Sequence, residues 1–422
     1  MARCGVLDCN EFFNGQRIAN MKRSLCFILI LIAFSKMAIA QDTIPRPTPF
    51  DEGYLFIGSD DLLKFKGYGQ TDFYTPIGES PALSEFLIRR ARLAATGYFQ
   101  GKFRYMLYAR FDKGKAELNE AFIESRHLPY AKIRVGQFFS PFSLSNLTSS
   151  SQLDLMTRPL IIDNFSSGRD VGAMLFGSIW KGHIDYAVGI FNGVPRNTPE
   201  NNKSKDVVAR IILKPFKTLE SSVLSNISFG VSSSSGIHQE DFSNKEYKNV
   251  LGTPFLKFGD SIQQNGSVKR FGADLEWFVG STSFKAEYLT TKFEGFTNNN
   301  NLNVFDASGF YTTITHFLTG EENNGKTVKP KNEFNPSQGH WGAFEIAARY
   351  ENLSISPSAL GIGAIEGTND TSALSFGINW YPNDDVKIAA NYQAFSYSDN
   401  LSIDDKTFNR EKAFLMRFQY QF

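Results

Sequence analysis

The sequence predicts an all-β chain folded as a transmembrane antiparallel β-barrel of about sixteen strands, with long extracellular loops, at least one of them turned inward. Three observations carry this. Period-2 alternation of apolar and polar residues recurs along the chain, and no helical 3.6 periodicity is sustained. Short turns alternate with long polar loops on strands of about ten residues, so one rim holds tight turns and the other holds loops. The chain closes on an alternating strand, Phe414, Met416, Phe418, Tyr420, Phe422, that stops on a terminal Phe. Forty Phe and sixteen Tyr in a chain of slightly polar mean hydropathy fit many half-apolar strands.

Ahead of the first strand the chain carries an export signal. Met21-Lys22-Arg23 is a basic start, Leu25 to Phe34 an apolar run of ten, and Ala38-Ile39-Ala40 a small-x-small cleavage signal before Gln41. A membrane-spanning helix needs about 20 apolar residues; this run is half as long, and Lys36 follows it. Residues 1–40 are therefore expected to be a secretory signal peptide, with the stretch ahead of Met21 an upstream start or an extended n-region. No Cys follows the cleavage point, which argues against a lipoprotein anchor. Cys4, Cys9 and Cys26 all lie in the leader, so the exported chain of 422 − 40 = 382 residues has no thiol. That excludes disulfide scaffolds, Cys-ligated zinc and cysteine nucleophiles. Residues 41–64, with the Pro-rich Ile44 to Pro49, are expected to be a periplasmic N-terminal segment, and 65–422 the barrel.

The hairpin from Phe86 to Asp112 shows the pattern best. Odd positions read Leu87, Arg89, Ala91, Leu93, Ala95, Gly97, Phe99, and even ones Ile88, Arg90, Arg92, Ala94, Thr96, Tyr98; the alternation resumes after Gln100-Gly101. The same reading places strands near 65–75, 85–98, 102–112, 116–127, 131–139, 170–181, 183–192, 206–216, 223–234, 268–279, 282–293, 305–318, 341–352, 371–381, 386–397 and 411–422. Links such as Gly280-Ser281 are very short, whereas 140–169, 235–267 and 353–370 are long and polar, and Asn298 to Asn301 is a low-complexity patch. A secreted β-sandwich or β-helix would also alternate. Against it, apolar faces end in aromatics (Trp277, Trp380) that suit an interfacial girdle, and the opposite faces carry mid-strand charge that a sandwich core could not bury unpaired. One connection is discordant. Counted back from the C-terminus, 319–340 falls on the short-turn side yet is about twenty residues long, so either a strand is miscounted or the segment folds into the lumen.

A barrel hides its backbone hydrogen bonds, which leaves function to the lumen and loops. By parity, strands two to five offer Arg90, Arg92, Lys102, Arg104, Arg110, Arg126, Lys132 and Arg134 to the lumen against Asp112, Glu120 and Glu124. Eight against three is a basic wall inside a chain of near-balanced charge. Where the pore is narrow such a wall attracts anions, because screening acts over about 8 Å at physiological salt. The planar Arg fork suits phosphate. The alternative is that these arginines pair with carboxylates and only brace the wall. Arg89, on the apolar parity, is expected at a rim, where it can snorkel. Loop 140–169 is the third long-side loop, and its Arg158 and Arg169 are candidates for a constriction; the competing reading is a solvated surface loop.

Several stretches resemble the phosphate-selective porin O and P family of Gram-negative outer membranes. They are Arg89-Arg90-Ala91-Arg92-Leu93, Val135-Gly136-Gln137-Phe138 followed by Pro141-Phe142-Ser143-Leu144, Met156-Thr157-Arg158, Gly172-Ala173-Met174-Leu175, Gly189-Ile190-Phe191-Asn192-Gly193, Leu318-Thr319-Gly320-Glu321, and Gly342-Ala343-Phe344-Glu345 with Ala348-Arg349-Tyr350. The likeness covers roughly Phe65 to Phe422 and is strongest from Phe86 to Gly193. It implies a sixteen-stranded homotrimeric barrel in outer-membrane lipid, with loops and one long periplasmic turn folded inward, moving phosphate past an arginine ladder and a lysine cluster. Separately, the alternating strand that ends on Phe422 resembles the signal by which outer-membrane barrels are handed to their insertion machinery. The chain departs from relatives at Phe139, where they often have Lys, and at Ser145 and Thr157, where they often have Glu. Loop 235–267 carries Lys245, Lys248 and Lys257 but no Arg, so the upper part of a ladder is missing.

Other functions find little support. Five scattered histidines include no i, i+4 pair and no G-x-S-x-G occurs, so no nucleophile can be matched to a base. Gly361-Ile362-Gly363 lacks the strand-then-helix setting of a phosphate cradle. Near-zero net charge argues against nucleic acid as a partner, and no cofactor follows from the sequence. The expectation is a passive outer-membrane porin for small anions, phosphate or pyrophosphate being what the family implies. A structural or adhesive barrel, or a porin for nutrients such as oligosaccharides, are the alternatives.

Overall fold

The computed structural model describes residues 54–56, 62–112, 114–220, 223–298, 301–356 and 365–422. The expected signal peptide, the Pro-rich entry and the Gly361-Ile362-Gly363 stretch lie outside these residues.

Sixteen strands form one antiparallel sheet closed on itself. In chain order they are β1 Leu62–Pro76, β2 Glu85–Phe99, β3 Phe103–Arg110, β4 Glu117–Leu128, β5 Ala131–Phe139, β6 Arg169–Ile179, β7 Ile184–Phe191 and β8 Asp206–Leu213. The second half comprises β9 Ile227–Asp241, β10 Ile262–Val279, β11 Thr282–Asn298, β12 Asn301–Phe317, β13 Ala343–Ile355, β14 Asp370–Tyr381, β15 Val386–Ile403 and β16 Lys406–Gln421. Each strand pairs with its sequence neighbours, and β1 pairs with β16 from Tyr68↔Gln421 to Pro76↔Ala413, which closes the barrel. Gly67 and Phe422 exchange backbone hydrogen bonds of 3.0 Å at that seam. A short strand, Tyr54–Phe56, folds back on the start of β1, and β1 itself begins at Leu62, ahead of the expected boundary at 65.

Every strand expected from alternation is present, because lipid on one side and a polar lumen on the other impose a period of two. Ile88, Leu93, Leu107, Ile123, Ile133, Val188, Ile211, Phe376 and Phe418 are exposed on the outer face, whereas Gln70, Asp72, Arg90, Glu124, Arg210, Glu287, Glu351 and Arg417 are buried on the inner one. All four tryptophans lie at the short-turn rim, where the Nε1 of Trp277 donates to Val223 O (2.6 Å) and that of Trp380 to Trp341 O (2.7 Å). By loop length that rim faces the periplasm.

The wall is uneven in height. β3, β7 and β8 have 8 residues each, whereas β10, β11 and β12 have 18, 17 and 17. At about 3.3 Å per residue the tall strands project well past an apolar band of about 25 Å. Much of the expected loop 235–267 is thus strand, and only 242–261 turns inward. Its Phe242, Tyr247, Phe255 and Phe258 pack against Phe293, Phe296 and Phe305 of the tall wall in a buried aromatic cluster. Of the lysines of this loop, Lys245 lies 3.7 Å over the Phe242 ring and pairs with Glu240 (2.8 Å), Lys248 pairs with Glu246 (2.7 Å), and Lys257 is exposed.

The count of sixteen also settles the discordant connection between β12 and β13. The segment turns inward at the periplasmic mouth: Asn323 N donates to Gly280 O (2.7 Å), Asn323 Nδ2 to Thr315 Oγ1 (2.8 Å), and Glu321 is buried.

Candidate functional site

The loop between β5 and β6 enters the lumen and runs along the wall from β11 round to β1. It contains two short helices, α1 Leu144–Leu147 and α2 Leu160–Phe165. Its apolar residues Phe142, Leu155, Met156, Ile161 and Ile162 are buried beneath it. The polar inner wall holds the rest. Glu287 of β11 accepts the backbone N–H groups of Leu144 (3.0 Å) and Ser145 (3.1 Å), and Glu351 of β13 accepts that of Leu160 (2.6 Å). Further along, Lys285 pairs with Asp154 (2.9 Å), Lys387 donates to Leu153 O (2.8 Å) and Asn391 accepts from Met156 N (2.7 Å). Gln419 and Gln70 donate to Ser151 O and Ser150 O across the seam. Of the three positions expected to depart from the family, two are held by the wall: Ser145 N donates to Glu287, and the Thr157 hydroxyl receives Arg349 (3.1 Å) and Gln393 (2.9 Å). The solvated-surface-loop reading of 140–169 is therefore wrong.

Displaced to one side, the loop leaves a cavity of about 930 Å3 against β1 to β8. Its lining brings together Lys64, Lys66, Arg104, Lys132, Arg134, Arg158, Arg169 and Arg210 against Glu120, Asp185 and Asp385. Strand register explains the stacking on this wall. Nearest the periplasm, Arg104, Glu124 and Arg134 stand side by side on β3, β4 and β5; higher up, Arg110 stands beside Arg92 of β2 and Glu117 of β4.

The carboxylates are shared among more cations than they neutralise. Glu124 lies 3.8 Å from Arg104, 3.3 Å from Arg126 and 2.7 Å from Arg134. Asp112 meets Arg110 and, at 3.8 Å, Arg92; Arg110 also reaches Glu117 (3.8 Å). Glu120 takes Arg169 at 2.8 Å. Bracing is thus real, and it leaves a positive surplus. Arg90 donates to Gln70 Oε1 (2.8 Å). Arg158 donates to Ser145 O (3.0 Å), Ser150 Oγ (3.2 Å) and Thr148 O (2.6 Å), which ties the loop to itself. Burial lowers the Arg158 pKa while Asp163 raises it; an arginine so placed remains a cation. Among the described residues, Lys66 and Lys132 have no carboxylate within 4 Å.

Aromatic rings fill the spaces between these cations. Arg134 lies 4.4 Å from the Phe122 centroid and 5.0 Å from Phe176, Arg104 5.4 Å from Phe122, and Lys132 5.7 Å from Phe176. Arg169 rests 3.7 Å over Phe139, so that ring is a platform for an arginine.

Two expected positions are corrected. Lys102 sits in the exposed turn between β2 and β3 at the periplasmic rim and does not line the cavity, because the strand ends before it. Arg89 does not snorkel outward. The β1–β2 register passes from Gln70↔Arg90 to Thr71↔Ile88, a bulge at Arg89 that turns its side chain towards Tyr74 and Asp163 inside the barrel. Simple alternation also passed over Lys64, Lys66 and Arg210. The first two share the polar parity of Tyr68, Gln70 and Asp72, a signal the sequence does contain.

A second cavity of about 570 Å3 lies at the periplasmic mouth, lined by Asp154, Glu321, Glu345 and Asp384 together with Lys285, Lys329 and Lys387. Ser151, Gln152 and Thr327 border both cavities.

A closed sixteen-stranded barrel with an inward loop and a charged lumen defines an outer-membrane channel of the porin class. Over residues 66–422 the chain matches the model of the phosphate-selective porin O and P family. It belongs to that family, and its place is the Gram-negative outer membrane. It is 30% identical over 207 residues to Porin O of Pseudomonas aeruginosa, a match covering 46% of this chain and 43% of that protein, so it spans less than half of the curated relative's length. Its fold is similar to the anion-selective porin from Comamonas acidovorans (8% identity, TM-score 0.54, 86% of this chain and 100% of that one). It is also similar to the trimer form of OmpT from Vibrio cholerae (12% identity, TM-score 0.54, 86% of this chain and 100% of that one).

Proposed function

We propose that this chain is a passive porin that lets small anions diffuse across the outer membrane through the basic passage between the inward loop and β1 to β8. The observation that carries the reading is the cavity lining of eight basic and three acidic side chains. The sites are Arg104, Lys132, Arg134, Arg158 and Arg169 at the cavity, with Arg90, Arg92 and Arg110 above them; Lys102 contributes only to the periplasmic rim. Binding at each must be weak, since a solute held tightly would not leave. The arginines meet that condition because carboxylates and carbonyls already engage them. Phosphate as the solute enters through the family's description. The likeness to the trimer form of OmpT supports a homotrimer, and the terminal Phe422 supports handling by the barrel-insertion machinery.

Planar-bilayer recording of the refolded mature protein tests this. A reversal potential set by chloride in a KCl gradient, with current reduced by added phosphate, is the expected result. A large unselective current would discard the anion site, and no current would favour a structural barrel.

A further inference from the structure

The chemistry of the main cavity narrows the class of anion, on the reading that the barrel is an anion porin. A strongly hydrated oxyanion such as phosphate gives up its water only to several convergent N–H donors. Here most of the arginine donors are spoken for; Arg104, 3.8 Å from Glu124, is the exception. Both Nε and Nη2 of Arg134 point at Glu124 (3.0 and 2.7 Å), Arg169 is turned to Glu120 (2.9 Å through Nε), and Arg158 is spread over backbone carbonyls. What reaches a solute is a diffuse positive potential, the guanidinium of Arg104, the ammonium groups of Lys66 and Lys132, and a wall of rings: Tyr68, Tyr108, Phe139 and Phe176. Cations already lie against several of those rings, so charge and apolar surface alternate within a few ångströms.

A compact inorganic ion can use only half of such a surface. An anion with a flat apolar body can use both, its carboxylate directed to an uncommitted ammonium and its ring stacked edge or face on the aromatic wall. The volume of about 930 Å3 has room for a ring. We propose that the passage favours organic monoanions with an aromatic body, an aryl carboxylate being the simplest, over inorganic phosphate and over aliphatic carboxylates of smaller size.

Benzoate, acetate and phosphate are the probes. Bi-ionic reversal potentials of the full mature protein in planar bilayers give their permeabilities relative to chloride, and titration of each into a chloride current gives its block. Acetate is the smaller ion, so sieving alone ranks it above benzoate. The proposal expects the reverse, by about two- to fivefold, the scale of one partly exposed ring contact, and expects benzoate to block chloride current at lower concentration than phosphate. Phe176→Leu and Phe139→Leu keep an apolar side chain while removing the ring, and should bring the benzoate-to-acetate ratio back below one. Heat-modifiable gel mobility checks that each variant is a folded barrel. An anion-selective current in which acetate outruns benzoate, or in which phosphate blocks more strongly, overturns the aromatic preference and leaves the anion porin standing. Absence of anion-selective current overturns both.

Discussion

Glu124 shows how much one lumen carboxylate controls. It is buried and stands within 4 Å of three arginines, so it fixes their positions and cancels one of their three charges. Glu124→Gln should therefore raise anion selectivity. A unit charge at about 4 Å in water is worth about 1 kcal/mol, so the anion-to-cation permeability ratio should increase by up to about fivefold in a KCl-gradient reversal measurement. Arg104→Ala should move it the opposite way, and so should Arg90→Ala. Unchanged reversal potentials in both arginine variants would remove these residues from the selectivity mechanism. Alternation placed Arg104 and Arg134 in the lumen correctly because their neighbours follow a strict period of two. It misplaced Arg89 because a bulge shifts the period by one, and nothing in the composition of Arg89-Arg90-Ala91 marks where that happens.

At the scale of elements, the inward loop is held mainly by the wall opposite the passage. Glu287 and Glu351 each accept the first free N–H groups of a short helix, α1 and α2, which would otherwise be buried without partners. Glu287→Ala leaves the Leu144 and Ser145 donors unpaired and should cost about 1–3 kcal/mol. The loop should then sample the lumen, seen as larger current fluctuations at a single channel and a lower melting temperature of the folded barrel. Quiet currents identical to those of the unaltered protein would show that the apolar residues beneath the loop suffice to hold it. The loop's length and position in the chain were readable from the sequence. Its path was not, since that depends on polar residues of β11, β13, β15 and β16 far along the chain.

For the whole molecule, closure depends on the β1–β16 seam. Arg417 of β16 forms a bidentate pair with Asp72 of β1, both bonds 2.7 Å and both side chains fully buried, and Tyr74 donates to Asp72 at 2.6 Å. Breaking such a pair from one side leaves an uncompensated buried charge, so Arg417→Met should destabilise by about 3–5 kcal/mol, measured as loss of the heat-modifiable band at lower temperature. Gly67 faces the same seam. A Cβ there would come within 2.6 Å of Arg92 O and 2.7 Å of the Phe422 ring, so Gly67→Val should reduce the folded fraction in refolding assays. Selectivity as a whole should fade with salt, because the screening length shrinks from about 10 Å at 0.1 M to about 3 Å at 1 M. Reversal potentials at matched gradients but rising mean KCl provide the measurement.

The sequence by itself determined the barrel, its strand number and the side on which its arginines gather. Alternation and turn spacing are local signals that lipid and water impose residue by residue. Only the tertiary structure decided how the lumen is divided. The buried aromatic cluster around Phe242, Phe258 and Phe305 and the path of the inward loop arise from contacts between segments more than thirty residues apart. The sharing of one carboxylate among arginines of three neighbouring strands is likewise a product of how those strands pair. Such contacts depend on strand register and on which half of the wall is tall, and no periodicity within a single segment encodes either.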